Sequence, residues 1–181
     1  MLTIYQKLQK NIPTWRSELS ELAKANGEKK VSDVTVAQLL GGMRGVKGVM
    51  CDTSSVPQDK GLIIRGMPLA DLVEKSPEET FFLLLTGELP DAEELKDFSS
   101  LLKTRKTIPA YIWDVLNALP KDSHPMVMLD TAILALQRES VFAKMYEQGI
   151  KKDEYWKYTL EDALDIVASS LNSERQVGMF F

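Results

Sequence analysis

Apolar residues recur at helical spacing along most of the chain, and the polar residues between them supply the caps. Ser76-Pro77-Glu78-Glu79 places a capping serine ahead of a proline at the first helical position. The glutamate three residues after the cap can return its carboxylate to the cap N–H. The following Thr80 to Leu85 is apolar nearly all round, which predicts a buried helix of about three turns. Gly87, free to take a left-handed conformation, ends it. Asp91 and Glu94 repeat the pattern, with Leu95, Phe98 and Leu102 on one face and Lys103 and Lys106 at the carboxyl end, where cations suit the helix dipole.

Further on, Pro109 and Pro125 each open a helix, and Met126, Leu129, Ile133 and Leu136 form an apolar stripe on the second. Ser140 to Gly149 predicts a short helical piece. Thr159 with Asp162 predicts the start of a last helix, striped by Leu160, Leu164, Val167 and Leu171. Tyr5 to Ala25 is helical in pattern, with Pro13 marking a start or a break. Strand character is confined to Val49–Thr53 and Gly61–Gly66, joined through a turn region containing Pro57 and Asp59. The expected fold is all-α and multi-helical, with one small β-hairpin.

Composition narrows the function classes. Lys and Arg total 22 against 26 Asp and Glu, a net charge of -4, so no overall basic field is available to a nucleic acid. The longest apolar stretches fall far short of the ~20 residues that span a bilayer, so no membrane role is expected. Cys51 is the only cysteine, which excludes an internal disulfide and a two-cysteine metal motif. Packing in the core is its expected role. The first 30 residues carry five Lys and one Arg but also Glu18, Glu21 and Glu28, unlike a transit or secretory peptide, so cytoplasmic residence is expected.

Four ordered segments carry a family likeness. They are Gly41-Gly42-Met43-Arg44-Gly45-Val46-Lys47-Gly48; Asp52-Thr53-Ser54 with Gly61-Leu62-Ile63-Ile64-Arg65-Gly66; Phe82-Leu83-Leu84-Leu85-Thr86-Gly87-Glu88-Leu89-Pro90; and a fourth running from Leu116-Asn117-Ala118-Leu119-Pro120 through His124-Pro125-Met126 to Glu139-Ser140-Val141-Phe142-Ala143-Lys144 and Tyr155-Trp156. Each is short, but their order and spacing together resemble the amino-terminal, helical part of the citrate synthases, in their eukaryotic-type form. The resemblance covers roughly residues 5 to 168 and leaves 169–181 as a divergent tail, expected from a truncation or a shifted reading frame. It implies a homodimeric acyltransferase that condenses acetyl-CoA with oxaloacetate to citrate, in the tricarboxylic acid cycle, with acetyl-CoA as substrate and no covalently bound cofactor.

The resemblance also assigns residues. Arg44 and Lys47 match a basic segment that approaches the CoA phosphates, where a guanidinium fork suits phosphate and glycines admit the backbone. Lys151 and Lys152 match the place of a further basic residue at that phosphate. Family chemistry uses a carboxylate base and two histidines, whereas this chain has one histidine, His124, in a His-Pro-Met segment expected to be structural. No catalytic residue and no metal ligand is therefore expected here. The chain alone is expected to be inactive, its partner being a second copy or a missing carboxyl-terminal half. The alternative is a non-catalytic interaction module that pairs with such a half or with a full-length homologue.

Overall fold

A computed structural model describes residues 3–105 and 107–177, with side chains as far as Ser169. The chain divides into two compact units between Phe98 and Ser99. In the first, helix α1 (Ile4–Asn26) is capped by Thr3 and Gln6. It buries Ile4 and Leu8. Pro13 neither starts nor breaks this helix. Pro13 and Gln9 are both solvent-exposed, so water can take the carbonyl that loses its amide partner.

Helix α2 (Val36–Leu40) is followed by three two-residue strands, β1 (Ser54–Ser55), β2 (Ile63–Ile64) and β3 (Met67–Pro68). They form an antiparallel sheet in the order β1-β2-β3, pairing Ser54 with Ile64, Ser55 with Ile63, and Ile63 with Pro68. The hairpin anticipated from 49–53 therefore begins later, at Ser54, and gains a third strand. Two residues of positive φ, Arg65 at 48° and Gly66 at 83°, join β2 to β3. That is the dihedral pattern of a tight primed turn. The one-turn helix α3 (Leu69–Leu72) then buries Leu72.

Helix α4 (Pro77–Thr86) forms as its sequence predicts. The Ser76 hydroxyl accepts the Glu79 N–H at 3.2 Å, and the Glu79 carboxylate accepts the Ser76 N–H at 2.8 Å. Gly87 closes it at φ 87°. Phe82, Leu83 and Thr86 are buried, and the Thr86 hydroxyl donates to the Phe82 carbonyl at 2.8 Å. Only Leu84 of the apolar run turns to solvent.

Helix α5 (Ala92–Thr104) starts from the expected Asp91 and Glu94 pair. Phe98 packs edge-on to Phe82, ring centroids 5.5 Å apart. Glu94 is buried as well, where its other oxygen meets the Lys7 ammonium at 2.6 Å. Lys7 also pairs with Glu88 at 3.1 Å. Burial works to lower the Lys7 ammonium, but the bonds to Glu94 and Glu88 outweigh it and hold the group above its ordinary value.

In the second unit, helix α6 (Ala110–Asn117) packs against α7 (Pro125–Leu136), and the Tyr111 hydroxyl donates to the Ala135 carbonyl at 3.2 Å. The α7 stripe is only half-buried at Leu129 and Leu136, while Met126 and Ile133 are exposed. A short 3-10 turn (Gln137–Glu139) leads to α8 (Val141–Glu147), which packs on α9 (Tyr155–Val177) through Phe142, Tyr146 and Tyr155.

Helix α9 begins at Tyr155, not at Thr159. The Thr159 hydroxyl bonds back to the Tyr155 carbonyl at 2.9 Å, an in-helix position, and Asp162 turns to another element. Leu160 and Leu164 are buried as their spacing predicts. The Leu171 side chain, Lys106, and residues 178–181 of the expected tail lie outside the described residues.

Candidate functional site

The glycine-dense basic segment begins as a helix stop. Thr35 and Gln38 cap α2 reciprocally. At its other end the Gly41 N–H donates to the Ala37 carbonyl at 2.9 Å and the Met43 N–H to the Gln38 carbonyl at 2.7 Å. Gly42, at φ 75°, supplies the left-handed residue this closure requires. A side chain built on Gly42 or Gly45 would meet nothing within 4 Å, so these glycines serve dihedral angles and not close packing. Arg44 lies on this turn and Lys47 just past it, both solvent-exposed.

The segment is anchored where it ends. The Arg65 N–H donates to the Thr53 carbonyl at 2.8 Å, and its guanidinium reaches Asp52 at 3.0 Å. The same guanidinium donates twice to the Leu84 carbonyl and lies 5.6 Å over the Trp15 ring. Around it is a cavity of about 410 Å³ lined by Asn11, Trp15, Asp52, Arg65 and Glu88 among others.

Cys51 is exposed, contrary to the expected core position. The reason is local: its sulfur lies 3.0 Å from the hydroxyl of half-buried Thr53, in a bend that leaves Cys51 at the surface. The Thr53 hydroxyl, then the N–H groups of Ser54 and Thr53, stabilise the thiolate and lower the thiol to about 7.

Lys151 and Lys152 belong to the second unit, after α8 closes at Gly149 with φ 77°. They are exposed on a 3-10 turn (Lys152–Glu154) that leads into the amino end of α9, where their charge adds to the helix's own positive end. Asp153 and Glu154 share that turn.

His124 serves as the cap of α7, its Nδ1 accepting the Met126 N–H at 3.2 Å, as expected of a structural histidine. Among the described residues no group of three His, Cys, Asp or Glu is placed to hold a metal ion. No helix there is long and apolar enough to cross a membrane.

Two residues gain roles that spacing alone does not assign. Asp162 accepts the Ser140 hydroxyl at 2.5 Å and the N–H groups of Val141 and Phe142 at 2.7 and 3.2 Å, so it caps α8 from α9. Arg65 is visible in the sequence only as part of an Arg-Gly pair between strands. The positive φ that such a pair adopts in a tight hairpin is the signal that could have marked it.

Residues 42–174 match the family model described as "Citrate synthase, C-terminal domain". The chain is 37% identical over 175 residues to "Citrate synthase, mitochondrial" of Saccharomyces cerevisiae, an alignment covering 91% of this chain and 36% of that one. It is equally identical to "Citrate synthase, peroxisomal" of the same yeast, of which it covers 38%. Among solved structures, the citrate synthase from Thermotoga maritima superposes with a TM-score of 0.52 at 26% identity, over 70% of this chain and 30% of that one. The chain thus spans little more than a third of the length of the curated relatives it matches.

The names of these relatives correct the cytoplasmic expectation, since they place those proteins in mitochondria or peroxisomes. That expectation rested on the charge pattern of the first 30 residues, a weak basis in a chain that spans only part of its relatives. The ordered segments, the helical fold with its small sheet, and the match over residues 42–174 lead to one conclusion: the chain belongs to the citrate synthase family.

Proposed function

We propose that this chain is the amino-terminal helical region of an acetyl-CoA:oxaloacetate acyltransferase, silent alone, which contributes phosphate-binding cations to a site completed by other residues of that enzyme. The observation that carries this reading is the use of the single imidazole. His124, the single imidazole, caps α7 through its Nδ1, so one histidine tied to a helix end stands where the family chemistry uses two. Arg44 on the glycine turn, Lys47 just past it, and Lys151 and Lys152 ahead of α9, are exposed cations suited to the phosphates of CoA. The exposed apolar residues Met126, Val127 and Leu134 of α7, a helix whose only charge is Asp130, support a partner surface: a second copy or the remainder of a family chain.

Thiol release from acetyl-CoA in the presence of oxaloacetate tests the reading directly. The purified 181-residue chain is expected to give no turnover, and turnover by it would overturn the proposal. Mixed with the carboxyl-terminal part of a family enzyme, the chain is expected to co-elute on gel filtration and to restore thiol release. Arg44→Gln is then expected to raise the KM for acetyl-CoA roughly tenfold, the loss of one charge-assisted phosphate contact. Non-catalytic pairing, the alternative role, would give co-elution without turnover.

A further inference from the structure

The segment carrying Arg44 and Lys47 is exposed throughout except at Val46, and seven residues lie between Arg44 and Asp52. Nothing in its own composition fixes where it points. What fixes its end is one side chain. Arg65 is only 13% exposed, although its partner Asp52 is 81% exposed. Its Nε and Nη2 donate to the Leu84 carbonyl at 3.1 and 2.9 Å, near the carboxyl end of α4. Its third nitrogen, Nη1, reaches Asp52 at 3.0 Å, and its backbone N–H holds Thr53 at 2.8 Å. The Trp15 ring of α1 covers the guanidinium.

A planar fork alone can serve a carbonyl and a carboxylate in two directions at once; an ammonium is a single point. The backbone conformation is a second sign. Arg65 sits at φ 48°, a region where a tight turn followed by glycine ordinarily favours asparagine or glycine. An arginine in that position is explained by what its side chain holds and not by the turn.

We propose that Arg65 is a positioning residue: from a fixed seat on Leu84 and Trp15 it grips Asp52 and Thr53, and so sets the direction in which the cationic segment leaves the fold. It acts through the segment and touches no substrate. The proposal rests on the functional reading above only for the purpose of the segment; the grip itself is independent of it.

Cys51 reports on the grip, because it is the only thiol and its bonds to Thr53 and Ser54 depend on the turn that Arg65 holds. The experiment is the pH profile of iodoacetamide alkylation of the full chain, with circular dichroism to establish folding. In the native chain the rate is expected to be half-maximal near pH 7. Arg65→Asn creates the favoured Asn-Gly turn, so the hairpin is retained while the guanidinium is lost. Its profile is expected to move up by at least about one unit, with alkylation at pH 7 slower by at least roughly fivefold.

Arg65→Lys keeps the charge and loses the fork, and its profile is expected to move by a similar amount. If Arg65→Lys behaves like the native chain while Arg65→Asn moves, charge and not grip is responsible, and the proposal falls. It falls equally if both folded variants keep the native profile. A shifted profile in a chain that shows no CoA-dependent turnover after complementation leaves the grip standing and overturns the functional reading instead.

Discussion

The starts of α4 and α9 carry the same kind of sequence signal and come out differently. At α4, Ser76 and Glu79 bond to each other's backbone N–H, a closed local arrangement. At α9, Thr159 and Asp162 have the same spacing, yet the helix already runs from Tyr155. Asp162 spends both oxygens on α8, meeting Ser140, Val141 and Phe142. A capping pair three residues apart is thus decisive where the cap residue is itself extended and a proline follows it. It is open to capture where the chain can continue helical upstream and another helix presents unpaired N–H groups nearby.

The largest effect that would break this comparison is Asp162→Ala. It removes three bonds to a carboxylate and strands two amides at the start of α8, so about 3 kcal/mol of stability is expected to be lost, measured by urea unfolding. A loss below about 1 kcal/mol would mean that α8 is capped adequately by Ser140 alone. At α4, Ser76→Ala is expected to cost about 1 kcal/mol, the usual value of a local cap. The ratio between these two variants sharpens the contrast between a cap supplied from afar and one supplied by its own turn.

Acid provides a third test. The Ser76 N–H, aided by Lys75 and opposed by burial, holds the Glu79 carboxyl below its ordinary value of 4.5. A depressed carboxyl contributes stability that is present above its unfolded pKa and is lost as the pH falls through the folded one. Below about pH 4.5 the native chain is therefore expected to lose stability faster than Glu79→Gln, which keeps an acceptor but does not titrate; parallel acid profiles would contradict this. The smallest effect is expected from Thr159→Ala. Its hydroxyl only doubles back on the Tyr155 and Trp156 carbonyls at an exposed position, so the change is expected to stay within about 0.5 kcal/mol. A cost near that of Ser76→Ala would restore Thr159 as a cap.

Legibility followed the range of the forces involved. The Ser76 and Asp91 boxes, the left-handed Gly87 and the His124 cap are settled within four residues of chain, and each is readable from spacing. Pro13 misleads because the cost of a missing amide depends on whether the freed carbonyl meets water, a matter of which face of α1 is covered. Cys51 misleads for a similar reason: a small apolar side chain is core only if the backbone carries it inward, and here a turn tied to Thr53 carries it out. Arg44, Lys47, Lys151 and Lys152 could each be named as cations, but the grip on the segment of Arg44 and Lys47 could not. Arg65 meets Leu84 nineteen residues away and Asp52 thirteen residues away.

By itself, then, the sequence determined the helices with self-contained caps, the turns that demand positive φ, the helical class and the family, because propensity, capping and ordered motifs are local. The tertiary structure alone decided that Asp162 serves α8, that Glu94 is buried against Lys7, and that Arg65 holds the end of the cationic segment. Each of these is a charged or polar side chain whose partner lies far along the chain. Its energy depends on desolvation and geometry that exist only once the elements have packed.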